Sequence, residues 1–174
     1  MGLSVALFPL LLYLGSNLGI RLDGVKVVGL LVVCGALGCW GPLRFSIGDC
    51  RFSIRKSKVE NRKSKALLAF VFALSLAVRL LMMRGMPYPA WSDSYHHTII
   101  SQMIAEGGMI PASYQPYMPV EPFAYHFGFH STVAFFHWIT GMGLPEAVLV
   151  VGQILNALSV LSIYLLAHYL IKDQ

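Results

Sequence analysis

The sequence predicts an all-α integral membrane protein: about four transmembrane helices, with amphipathic and juxtamembrane helices in one long outer loop. Three observations predict it. Of 174 residues, 56% are hydrophobic and only 12% are charged, about half the charge of a typical soluble domain. Four apolar runs approach or exceed the roughly 18–20 residues a helix needs to cross hydrocarbon. Eight of the thirteen Lys and Arg residues fall within 44–65, whereas 85–126 contains none.

The apolar runs are residues 3–20, 25–43, 66–83 and 147–171, the third interrupted only by Arg79. The chain start lacks the basic stretch and small-residue cleavage site of a secretory signal, so 3–20 reads as a span. A fifth run, 127–142, is shorter and carries His130 and His137, which suits an interfacial or re-entrant helix. The basic loop 44–65 belongs on the cytoplasmic side beside anionic lipid, and 85–126 belongs outside. That places the chain in the cell membrane as a multi-pass protein with a cytoplasmic N-terminus. Arg21 and Lys26 in the first outer turn run against the rule. The net charge of +5 is local to the basic loop, and a loop between two spans gives no nucleic-acid surface. Cys34 and Cys39 lie in an apolar run and Cys50 in the basic loop, so no disulfide framework is implied. The chain divides into 1–43, an N-terminal transmembrane hairpin; 44–65, the basic loop; and 66–174, a span, the outer loop with two surface helices, and a final span.

Inside the outer loop, Ser92 can cap a helix beginning near Asp93, and Gly107-Gly108 stops it. Ile99, Ile100, Met103 and Ile104 share one face of that helix, as in an amphipathic helix on a membrane surface. Residues 111–122, rich in Pro and Tyr, predict an ordered, extended loop.

The chemistry concentrates in W-S-D-S-Y-H-H (residues 91–97), at the rim of a span, where ionisable groups are costly and mark a site. Asp93 and His97 are four residues apart and share a helix face. The helix N-terminus favours ionised Asp93. A carboxylate beside an imidazole can take a proton from an acceptor hydroxyl or hold a divalent metal, which makes Asp93 the candidate metal ligand. A capping Asp with surface histidines is the plainer account. His126, His130 and His137 fall on one face if a helix starts at His126, a zinc or haem arrangement that competes with interface histidines bound to backbone. Glu121 is a second acid, or a solvated loop residue. Arg79 and Arg84 border the outer interface, where they snorkel or hold a phosphate. Gln153, Asn156, Ser159 and Ser162 read as helix-packing contacts.

The order of these parts is an outward span, W-S-D-S-Y-H-H, a helix ending E-G-G-M-I-P, a Pro/Tyr loop, Y-H-F-G-F-H (residues 125–130), a short helix ending in T-G, and a long span. Over about residues 66–172 this resembles the N-terminal module of the GT-C superfamily of polytopic glycosyltransferases, which includes oligosaccharyltransferase and protein mannosyltransferase. The resemblance implies sugar transfer from a polyprenyl-phosphate donor at the outer membrane face, with Mg or Mn as the divalent cofactor. It implies catalytic roles for Asp93, His97 and Glu121. Donor and acceptor would be bound by Arg84, Tyr95, His96, Tyr125, His126 and His130. The chain departs from the family at His126-Phe127, where prolines usually stand. Members have eight or more spans, so this chain is expected to be a fragment or to work with further membrane helices of a larger chain or complex. The competing classes are a non-catalytic membrane subunit or scaffold, and a His-ligated metal or haem membrane protein.

Overall fold

A computed structural model describes residues 2–40, 62–90 and 92–172. Among them are six helices and no strand: α1 (Gly2–Asn17), α2 (Gly24–Trp40), α3 (Arg62–Met82), α4 (Ser92–Gly107), α5 (Gly128–Thr140) and α6 (Leu144–Lys172). The expected all-helical class is what the described residues adopt. The basic loop lies outside the described residues as far as residue 61.

Among the described residues, two helices are long and apolar enough to cross a bilayer, over Ser64–Met82 and Leu144–Leu170, with 19 and 27 residues. At 1.5 Å per residue these reach roughly 28 and 40 Å. The two N-terminal runs give shorter apolar helices, Ala6–Asn17 and Gly24–Val33. The first run is longer as a string of apolar residues than as a helix, because the chain turns at Gly19 (φ 69°) before Ile20.

The chain packs as two compact units. The first comprises Met1–Leu31 and Gly85–Gly152, the second Val32–Arg84 and Gln153–Gln174. In the first unit, α5 packs against both α4 and α1. Leu12 of α1, Val27 of α2, Ile99, Ile100, Met103 and Ile104 of α4, and Ala134 and Phe135 of α5 share one core with Tyr114. The Phe8 and Phe135 rings stack with centroids 4.7 Å apart. The apolar face of α4 is therefore real, but protein covers it rather than a membrane surface: its residues share a core with α1 and α5. On α5, the six consecutive residues His130 to Phe135 are all buried. Six residues exceed one 3.6-residue turn, so protein encloses this part of the helix on every side. At 13 residues, α5 is about 20 Å long, short of the ~30 Å of hydrocarbon.

The Pro/Tyr loop is ordered but folds back on itself instead of extending. Phe123 N donates to Ala112 O at 2.9 Å, and Tyr114 N to Val120 O at 3.2 Å. This closure turns the Tyr114 ring inward as a core residue. Two bonds tie the loop region to α1 and the turn after it. Ile110 N donates to Ser16 Oγ at 2.9 Å, and Leu22 N donates to Gly108 O at 2.8 Å.

In the second unit, α3 keeps Leu67, Phe70, Leu74 and Leu81 exposed. Water penalises such a surface and hydrocarbon does not. Ser64 Oγ and Tyr164 Oη lie 3.4 Å apart, and Tyr164 stacks on His168.

Candidate functional site

The site is a group of imidazoles and aromatic rings in the first unit, where the start of α4 meets the start of α5. The αL residue Gly108, whose N–H bonds back to Ile104 O at 2.8 Å, ends α4, and the closed loop then brings residues 125–130 back to α4. The 92–97 and 125–130 stretches, about thirty residues apart in sequence, thus become neighbours.

At the base of the group lies His130, 0% exposed. Its Nδ1 is 3.1 Å from the carbonyl oxygen of His126, and its Nε2 is 2.9 Å from Nδ1 of His97. The two rings are 5.1 Å apart, centroid to centroid. Burial is the main cause that pushes the His130 pKa down to about 4, and the neighbouring His97 adds to it. His130 is therefore a neutral imidazole at neutral pH. Around the pair stand Tyr125, edge-on to both rings at 6.0 and 5.6 Å, and Phe129, edge-on to His97 at 5.7 Å. His126 stacks on Tyr125 at 4.2 Å. His96 reaches Tyr114 and Tyr125 at 5.9 and 6.1 Å. Among the described residues no buried side-chain nitrogen or oxygen lacks a partner. Buried Ser131 and Thr132 are satisfied by the carbonyl of Gly128.

The fold brings together His96, His97, Tyr125, His126 and His130. Asp93 lies one turn before His97 in the first turn of α4, and it is exposed. Tyr95 is on the other side of the helix, because two residues are about 200° apart in a helix. It lines a separate groove of about 530 Å³ with Tyr88, Thr98, Gln102 and Tyr117. Glu121 is exposed on the closed loop. Arg84 is exposed and belongs to the second unit. The trio His126, His130 and His137 is not assembled. His126 precedes α5, and His137 Nδ1 lies 2.6 Å from the carbonyl of Met142 beyond the helix end. Sequence reasoning did not find the His97–His130 bond, nor the parts played by Tyr114 and Phe129. Periodicity reports which residues share a face of one element, not which faces of two elements meet.

Among the described residues no group of three or more His, Cys, Asp or Glu is arranged to hold a metal ion. Mg and Mn favour oxygen donors, whereas the group around His97 is imidazole and phenol, with Asp93 the carboxylate on the same helix. No family model, curated protein or solved structure matches this chain.

Proposed function

We propose that the chain is a GT-C-like module of a membrane glycosyltransferase, which passes a sugar from a polyprenyl-phosphate donor to an acceptor at the extracytoplasmic face. The observation that carries this reading is the convergence of the two stretches bearing the resemblance. Asp93 opens α4 one turn ahead of His97, and His97 rests on His130 of the 125–130 stretch. Transfer breaks the bond between the sugar and the polyprenyl phosphate and forms one to the acceptor. The leaving phosphate takes the electron pair, and the acceptor proton passes to a protein base. Asp93, in the first turn of α4, is the group that orients the acceptor or takes that proton. His97 supports it from the next turn. Glu121 is a second acid on the loop.

The same reading places four spans in the membrane, with residues 44–65 cytoplasmic and 85–126 outside. Single-cysteine labelling with an impermeant reagent checks this. In intact cells Ser113→Cys should react and Ser57→Cys should not, and the reverse pattern overturns the orientation.

Function is tested by transfer from a polyprenyl-phosphate sugar, in membranes that carry the protein with its native partners. Asp93→Asn keeps the size and removes the charge, so transfer should fall ~100-fold, the scale of a lost general base or of a misplaced acceptor. Glu121→Gln should cost less, because no helix terminus supports it. Both variants must match wild type in expression and membrane insertion. Near-normal transfer by Asp93→Asn removes the assignment and favours a non-catalytic subunit.

A further inference from the structure

A carbonyl oxygen only accepts, so the 3.1 Å contact to His126 O fixes a proton on His130 Nδ1. A neutral imidazole carries one N–H, which leaves Nε2 of His130 a bare lone pair. Buried as it is, His130 stays neutral rather than becoming an imidazolium. Its Nε2 therefore accepts, and the donor across the 2.9 Å contact is Nδ1–H of His97. The proton of a neutral His97 is thereby placed on Nδ1, and its own Nε2 is bare. That nitrogen has no partner among the described residues. The His97 side chain is half-buried, not enclosed.

We infer that His130 is a positioning residue that locks His97 in its Nδ1–H tautomer and so presents Nε2 of His97 as proton acceptor for a substrate hydroxyl that Asp93 orients. This differs from a ligand-binding role for His130, which has no exposed surface and has both ring nitrogens engaged within the fold. The acceptor role rests on the transfer reading above, while the tautomer lock does not. When Nε2 of His97 takes a proton, Nδ1–H still donates to His130, so the pair survives the step without rearranging. The substrate hydroxyl loses its proton to Nε2, and its oxygen keeps the electron pair for the new bond to the sugar. Phe129 and Tyr125, edge-on to His97, hold the ring plane while this happens.

The test is ¹⁵N–¹H correlation spectroscopy of the ¹⁵N-histidine-labelled protein in detergent micelles at neutral pH, together with transfer assays. In the wild type both His97 and His130 should show the proton on Nδ1; a proton on Nε2 of His97 overturns the lock, whatever the variants do. His130→Gln sets an amide oxygen where Nε2 stood, so it should keep both the His97 signature and transfer. His130→Leu should lose the signature and lower transfer by ~10-fold or more, the scale of a misplaced catalytic group. Transfer that is equal in His130→Leu and His130→Gln overturns the positioning role. A wild type with the expected tautomers but no transfer activity leaves the lock standing and removes the glycosyltransferase reading instead.

Discussion

Gly108→Ala is expected to destabilise the first unit by about 3 kcal/mol or more, and Gly19→Ala by only about 1 kcal/mol. Both glycines have left-handed backbone, φ 66° and 69°, and any L residue there costs roughly 1–2 kcal/mol. They differ in what a side chain would meet. A Cβ on Gly19 has nothing within 4 Å. A Cβ on Gly108 would collide with the carbonyl oxygen of Leu22 and stand 2.9 Å from its nitrogen. Those are backbone atoms and cannot swing aside. Leu22 N is moreover bonded to Gly108 O, and Gly108 N to Ile104 O, each at 2.8 Å. Relief requires breaking one of these bonds or shifting the turn after α1, and overpacking of this kind adds about 1–3 kcal/mol. Thermal unfolding of both variants in the same detergent measures the difference. Equal losses would show that the contact between Gly108 and Leu22 does not hold the unit together.

Local features of the fold were legible in the sequence. Ser92 and Gly107-Gly108 bracket α4 within a residue of its observed ends, and its apolar face carries the residues now found in the core. Signals of this kind are short-range, being a cap, a left-handed stop and a 3.6-residue period. The docking of α1 on α5 was not legible. α1 is apolar nearly all round, so no stripe records which side meets Phe135, and more than one hundred residues separate the partners. The same limit applied at the site. Both histidine stretches were visible as composition, and Asp93 with His97 as an i, i+4 pair. The bond from His97 to His130 joins two helices through the closed loop 111–122, whose backbone bonds no sequence period reports. The loop read as extended because prolines favour extended backbone; inward packing of Tyr114 competes with that preference and closes the loop.

Acid is expected to weaken the first unit through His130. Its pKa falls from the ordinary 6.5 to about 4 in the folded protein. Between these values the unfolded chain binds a proton that the folded chain refuses, so the neutral buried ring contributes its full stability above pH 6.5. That contribution declines as the pH drops towards 4 and is gone below it. A shift of this size corresponds to about 3 kcal/mol. The charged or titratable groups facing the ring are His97 and His96 from α4 and His126 from the loop, with Tyr125 beside them; each imidazolium near it opposes its protonation. From α1, Phe8 and Tyr13 pack on α5 and the residue before it, and they bring no charge to the ring. The unfolding midpoint in detergent should therefore drop between pH 7.5 and 4.5 in the wild type. His130→Gln keeps an acceptor for His97 but cannot take up the proton, so its midpoint should depend less on pH across that window. If the two proteins lose stability in parallel, the acid sensitivity belongs to other groups, and burial of His130 is not what the fold holds against protonation.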